Sequence, residues 1–524
     1  MSHYVKRKRR KKRLKPAGVA LVAVAIILVA LILAGIIVNL LPPNSSPAGN
    51  NTSSGTASEP SSSDTSSDII SSTPPEPVPE SSSTNVVSYT SSPSYTQSSL
   101  GGNYLDVGNQ YICEVFYWEA ETFDYKSNGF VSKPTLTPLP VGTIDYCSKT
   151  LINNGLSPNS SEYKVAATLR CGKRVFTDSL HIERAKVYDA AEYEAINGKI
   201  PETNNVTIIS GGITSDKRYS TIKLSVDWKA PFSLDVLPQS YASNSDSVRD
   251  FSISAVTFSY IDITFCYSSK DVTDDIENID FTHSIFSRAE WRKNTSDYTL
   301  RLYLKKAGGA YGWYAEYDNQ GNLVFYFLNP AVITVTNGIP DLTGVNVFLD
   351  VGHGGMDSGA IGKLNGTTYY ESNMNLKLAL AVKEELEAMG ATVTLSRDSD
   401  VQLRSVDIMQ KIRDAKPDIA INIHHDSGGG RGCGVFYYHA FSKKAVDSIT
   451  DAISDIDLYS RTYQKWHYYY GARVMHCPVV LTENGFMDSA ADLELITNEA
   501  NNQKRAKAIA DGIVDYFKEL NGIE

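Results

Sequence analysis

Cysteine is scarce in this chain. Six are spread over 524 residues (113, 147, 171, 266, 433 and 477), and no two form a C-x-x-C pair. That spacing gives no structural zinc knuckle, and the density is far below that of a disulfide-built scaffold. Basic charge is scarce too beyond the first 16 residues. These carry nine Lys/Arg and no acid, so the rest holds 40 basic against 59 acidic residues. An acidic body with a basic tip excludes the broad positive surface of a nucleic-acid binder. Helical periodicity is rare between residues 102 and 340. Bulky apolar residues are rare between 42 and 101.

What is present begins at the N-terminus. Ala17–Val38 runs without a charge and is almost all Ala, Val, Leu, Ile and Gly. As a helix it would be about 33 Å long, enough for a bilayer core of roughly 30 Å. The basic run 6–13 precedes it, and no Lys or Arg follows until Lys126. The charge asymmetry predicts a single-pass anchor over 17–41. The basic tail, 1–16, would be cytoplasmic and the bulk of the chain extracellular, on the cell-wall side. A cleaved signal peptide fits less well, because the run exceeds the usual apolar core and no small-x-small site follows. Residues 42–101, rich in Ser, Thr and Pro, read as a disordered linker spanning about 40 Å as a flexible coil.

Residues 102–340 alternate with the period of half-buried strands, as in Tyr298-Thr-Leu-Arg-Leu-Tyr-Leu304. They predict a β-rich, sandwich-like region of one or two domains, with a break near 201–205. A hairpin is expected around Asp318–Asn322, and a helix around Ala190–Ile196. His181 and His283 are isolated and read as packing or surface residues. From 341 to 524 short apolar strands alternate with helical patterns. This predicts an α/β domain with a mostly parallel sheet flanked by helices. The fold class is therefore multidomain: a transmembrane helix, a β-rich middle and a C-terminal α/β domain.

Four segments of that last domain carry chemistry: Leu349-Asp-Val-Gly-His-Gly-Gly355, Glu371-Ser-Asn-Met-Asn-Leu376, Asn422-Ile-His-His-Asp426 and Pro478-Val-Val-Leu-Thr-Glu-Asn-Gly-Phe486. Two imidazoles and a carboxylate make a three-ligand zinc set with an open position, and a further carboxylate can act as a base. His353, His424 and Glu483 each end or follow an expected strand. They would emerge on the sheet edge where α/β ligand sites lie. His424 and His425 would point to opposite faces, so one of them can ligate. His439, His467 and His476 read as surface residues.

Together the four segments resemble the zinc-dependent N-acetylmuramoyl-L-alanine amidases of the family-3 fold. The resemblance implies one zinc ion per domain, with ligands His353, Glu371 and His424, and a catalytic Glu483. It places Arg473, Asp426 and Asn375 near substrate. It implies cleavage of peptidoglycan between the lactyl group of N-acetylmuramic acid and L-alanine. Val351 stands where the family commonly has proline, and Asp426 where asparagine is common. The expected partners are peptidoglycan, the cytoplasmic membrane through the N-terminal helix, and a wall or envelope protein through the β-rich region; nucleic acid is not expected. Two other readings use the same residues: a non-catalytic peptidoglycan-binding scaffold, and a zinc peptidase acting within the stem peptide.

Overall fold

In the computed structural model, residues 96–97, 103–104, 110–116, 119–120, 122–123, 137–152, 164–171, 173–176, 178–179, 182–183, 185–235, 257–270, 274–294, 297–466 and 470–523 are described. The basic tail, the apolar span and nearly all of the linker lie outside them, as do His181 and His467. Among the described residues no helix is long and apolar enough to cross a membrane.

The β-rich region builds three main sheets. The first is six-stranded and antiparallel, with Tyr111–Val115 between Ala185–Asp189 and Ile144–Ile152. A helix, Ala190–Asn197, follows it, started by Asp189, whose carboxylate accepts from the amides of Ala191 and Glu192. The second sheet pairs Asn204–Ile213, Tyr219–Val226, Leu323–Leu328 and Trp313–Tyr317, with Ser268–Ser269 at its edge. The third pairs Phe232–Asp235, Tyr260–Phe265, Tyr298–Leu304 and Phe286–Lys293. The hairpin expected around Asp318–Asn322 forms: Asp318 Oδ1 accepts from the amides of Gln320 and Asn322, both at 2.9 Å.

Period-two alternation gives the second sheet two apolar faces. Its inner face stacks on the third sheet through aromatic edges, Phe232 against Phe325 and Phe286 against Phe327, each with centroids 5.0 Å apart. Its outer face carries Tyr219, Tyr314, Tyr326 and Leu328, which pack against the C-terminal domain. The first sheet is tied to the sandwich where Tyr267 Oη donates to Asp145 Oδ2 at 2.8 Å.

The C-terminal domain runs β1 (Asn346–Val351), β2 (Ile361–Leu364), β3 (Thr367–Tyr370), α1 (Glu371–Ala388), β4 (Thr392–Leu395), α2 (Ser405–Ala415), β5 (Ile419–Asp426), β6 (Cys433–Tyr437), α3 (Lys443–Asp455), β7 (Thr462–Trp466), β8 (Val479–Phe486), α4 (Ala490–Thr497) and α5 (Glu499–Asn521). Its main sheet has the order β4-β1-β5-β8-β6-β7 and is parallel except where β6 meets β8. The long C-terminal helix is interrupted at Asn498, whose side chain caps α5.

One face of this sheet, with Val347, Leu349, Ile421 and Val480, packs beneath α1, α3 and α5. On the opposite face Phe348, Ala420 and Val479 align in one row. They are covered by Ile412 of α2 and by Tyr219, Tyr311 and Leu328 of the β-rich region. Arg218 Nη1 reaches Asp418 Oδ1 at 2.6 Å, and the Trp313 amide donates to the Met475 carbonyl at 2.8 Å. The β-rich region thus forms part of the C-terminal domain's second layer.

Candidate metal centre

Strand alternation sets up the site. On β5, Ala420, Asn422 and His424 face one side of the sheet, and His425 faces the other. On β8, Glu483 is the register partner of His424. β1 ends at Val351, and the chain turns sharply so that His353 sits in the left-handed region at φ 61. That conformation is costly for a residue with a side chain. Arg397, 4% exposed, secures it by donating to the carbonyls of Val351 (3.0 Å), Gly352 (2.9 Å) and Ser372 (2.7 Å). Gly352 must be glycine, because a Cβ there would lie 2.2 Å from the His424 ring.

Glu371 is the first residue of α1, and its helix face (371, 375, 378, 382) is turned inward. Its Oε1 lies 3.2 Å from His353 Nε2 and 3.0 Å from His424 Nδ1. One ligand atom from each of the three residues lies within 4.8 Å of the others. Oε1 also accepts from the His425 amide (3.1 Å) and Oε2 from the Ala360 amide (2.8 Å). His353 Nδ1 is held by Asp357 Oδ2 at 2.8 Å, the carboxylate–imidazole arrangement that orients a metal-binding histidine.

The electrostatics agree. Burial pushes the Glu371 carboxyl up, but the two imidazoles outweigh it and hold it well below the usual carboxylate range. Hydrogen bonding to Glu371 lifts His353 to about 9. Burial opposes a charge on His424, yet Glu371 and Glu483 raise it. A buried anion flanked by two imidazole nitrogens invites positive charge, and a divalent cation fits this donor set as it stands.

Glu483 is 8% exposed, and its Oε2 is buried without a partner. Burial, with Asp426 and Glu371 adding to it against His424, pushes its carboxyl up to about 8. A cleft of ≈ 420 Å³ holds His353, His424 and Glu483, with Leu403, Met409 and Val474 on its walls.

Of the three residues expected near substrate, Asn375 is shut away from solvent and Asp426 and Arg473 are partly buried. Asn375 has no exposed surface; its Nδ2 donates to Gly352 O and Glu371 Oε1, and its Oδ1 meets His425 Nδ1 at 2.7 Å. It positions the ligand set from behind and cannot touch substrate. Asp426 is half-buried, accepts from the Ser427 amide and acts on the site through its charge near Glu483. Arg473 is partly buried, and its carbonyl accepts from His439 Nε2.

His425 points to the opposite face, as strand alternation requires, and is buried against Arg505 (3.1 Å) on the helix side. Two other histidines depart from expectation. His439 and His476 are also buried, the first stacked on Phe441 and the second beside Glu119 and Tyr314. Sequence reasoning missed Asp357 and Arg397. Asp357 stands four residues after His353, and Arg397 stands two residues after the end of β4, where residues of a parallel sheet reach the site edge.

Residues 347–515 match the family model of N-acetylmuramoyl-L-alanine amidase. The probable cell wall amidase LytH of Staphylococcus aureus is 31% identical over 182 residues, covering 34% of this chain and 60% of that protein. The chain thus spans less than two thirds of that relative's length. Among solved structures, the amidase AmiC2 of Nostoc punctiforme is 26% identical, with a TM-score of 0.31, covering 34% of this chain and 99% of the other. The catalytic domain of CwlV from Bacillus (Paenibacillus) polymyxa is 27% identical, with the same TM-score, covering 34% and 98%. The four segments and the geometry built from them all fall within the matched amidase domain.

Proposed function

We propose that this protein hydrolyses the amide bond between the lactyl group of N-acetylmuramic acid and the L-alanine of the stem peptide. One observation carries the reading: His353, Glu371 and His424 converge, and His353 and His424 share one cleft with a buried Glu483 whose Oε2 has no partner. Zinc held by His353, Glu371 and His424 would supply an electrophile for the amide carbonyl and would acidify a water molecule.

The chain's own residues do the rest. Positive charge in the ligand set favours the ionised form of Glu483, whose Oε2 then has no competing partner. Glu483 takes a proton from the attacking water as its oxygen bonds to the carbonyl carbon. When the carbon–nitrogen bond breaks, the Glu483 carboxyl returns that proton to the departing nitrogen. The products are a lactyl carboxylate and a peptide with a free amino terminus. Asp357 fixes the His353 ring, Asn375 and the Ala360 amide fix Glu371, and Arg397 fixes the loop between them.

The N-terminal charge pattern supports a single-pass anchor with the catalytic domain on the wall side, and the 42–101 segment supports a tether. The test is the zinc-loaded protein on purified peptidoglycan, beside Glu483→Gln, reading new amino termini. N-terminal L-alanine from the parent alone is the expected result. Other amino termini would identify a peptidase, and none from a zinc-bound parent would identify a binding scaffold.

A further inference from the structure

Six cysteines spread over 524 residues have little chance of touching, yet four of them meet as two pairs in the β-rich region. All are thiols in this structure. Cys113 lies on the strand Tyr111–Val115 and Cys147 on its neighbour Ile144–Ile152. Cys113 is in register with Asp145 and Cys147 with Tyr111, so the two are diagonal neighbours on one face of the first sheet. They are 2% and 0% exposed, and the Cys113 thiol is hydrogen-bonded to the Cys147 sulfur. Cys171 follows the strand Lys164–Leu169 of the same sheet, and Cys266 follows Tyr260–Phe265 of the third. Neighbouring groups hold this second pair in place. The Cys171 amide and the Tyr267 hydroxyl both donate to Asp145 Oδ2, at 3.3 and 2.8 Å, and the Arg170 guanidinium lies 4.2 Å from the centre of the Tyr267 ring. Residues 170–171 are thereby fixed against 266–267, and the Cys171 and Cys266 side chains are hydrogen-bonded to each other.

Cys433 and Cys477 differ. Both are fully buried, but they sit in separate apolar clusters. The surroundings of the two pairs also matter. The first sheet contributes mainly small side chains to the core, among them Val115, Ala120, Ala167, Val175 and Ala185. Such a layer buries little apolar area, and thin cores are commonly secured by covalent links.

We propose that Cys113–Cys147 and Cys171–Cys266 become disulfide bonds on the wall side of the membrane, the first bracing the first sheet and the second fastening it to the sandwich. Cys433 and Cys477 stay thiols. This rests on the wall-side placement proposed above, since a reducing cytosol would preserve all six. The Cys171–Cys266 bond joins segments about a hundred residues apart, where a cross-link restricts the unfolded chain most.

The oxidant is a disulfide-bearing carrier. The Cys171 thiolate attacks one carrier sulfur, forming a mixed disulfide as the carrier's own bond breaks. The Cys266 thiolate then attacks Cys171 Sγ, closing the new bond and expelling the carrier's bound sulfur. The two protons lost by the cysteines end on the carrier, which leaves as a dithiol. Cys171 suits the first attack. Its contact with Cys266 outweighs burial and holds its thiol below the usual value, and it keeps some exposed surface. The same exchange joins Cys113 and Cys147 before the sheet closes over them.

The test takes the full-length protein from protoplasts of a walled bacterial host. After an acid quench, free thiols are blocked with N-ethylmaleimide under denaturing conditions, and the protein is digested without reduction. Mass spectrometry should find peptides linked 113–147 and 171–266, with maleimide on Cys433 and Cys477 alone. If protease added to the protoplasts reaches the domain, maleimide on the other four or any different pairing overturns the two bonds. If protease does not reach it, the wall-side placement fails, and refolding the purified chain from urea in a glutathione redox buffer decides. The same two links uphold the pairing; glutathione adducts or free thiols overturn it. The linked protein should also lose about 5 °C of Tm on reduction. A Tm that reduction leaves unmoved overturns the fastening role even where the links are found.

Discussion

Replacing Arg218 by alanine tests whether the β-rich region is a structural part of the catalytic domain. Asp418 immediately precedes β5, the strand that carries His424, and is 4% exposed. Its Oδ1 receives Arg218 Nη1 at 2.6 Å, and its Oδ2 receives the Asn346 amide at 2.8 Å. Arg218 also donates to the Gly344 carbonyl at 3.3 Å. Removing one partner of a buried ion pair costs about 3–5 kcal/mol, because the other charge is left uncompensated. The surviving amide bond puts the expected loss near the lower end, about 3 kcal/mol. Burial already pushes the Asp418 carboxyl up against the pull of Arg218, and without Arg218 it should rise further. A carboxyl raised above its unfolded value destabilises the fold once it ionises, so the deficit should be full at neutral pH. It should shrink as pH falls toward the unfolded value of about 3.9. The assay is urea unfolding followed by tryptophan fluorescence at pH 7 and pH 4.5. Arg218→Ala, Asp418→Asn and the double variant complete a cycle, in which Asp418→Asn should recover much of the Arg218→Ala loss. A loss below 1 kcal/mol at pH 7, or strict additivity, would refute the reasoning.

Four further outcomes are expected. Glu483→Gln should lower turnover by about 10²- to 10⁴-fold with zinc content unchanged, read by amino-terminal release and metal analysis. Asp357→Ala, which frees the His353 ring, should weaken zinc binding by about 10- to 100-fold in a chelator competition. Zinc at a hundred times its dissociation constant should add about 2.7 kcal/mol to stability, visible as a rise in Tm that chelation reverses. Asp145, pushed up to about 6 by burial, should make stability fall by about 3 kcal/mol as pH rises from 4 to above 6. Asp145→Asn should flatten that dependence in urea melts.

The convergence of His353, His424 and Glu483 was legible because each ends or follows a short apolar strand, whereas Glu371 at the start of a helix was singled out by the resemblance of its segment. Strand alternation puts His424 and His425 on opposite faces, and the resemblance of the four segments then picks His424. Asn375 was misread because it shares a segment with Glu371; only the packing of α1 against β5 shows that its amide is spent on His425 and Gly352. Arg397 lies 44 residues from His353 and acts through backbone carbonyls, which leave no pattern in side-chain chemistry. His439 and His476 looked like surface residues because nothing local marks them as buried. Their shelter comes from Phe441 in one case and from Glu119 and Tyr314 of the β-rich region in the other. The covering of Phe348, Ala420 and Val479 by Tyr219, Tyr311 and Leu328 of the β-rich region is a tertiary fact that strand periodicity cannot announce.

That covering bears on how such a protein can be rearranged by recombination. A crossover near residue 340 would give a new host the catalytic strands but strip the row Phe348–Ala420–Val479 of Tyr219, Tyr311 and Leu328. The recipient would inherit an exposed apolar stripe and an Asp418 without its guanidinium. Fusions that carry the whole segment from Tyr89 to Glu524, which forms one compact unit, should yield soluble chimeras, while those cut at 340 should precipitate. The heritable module is larger than the catalytic one.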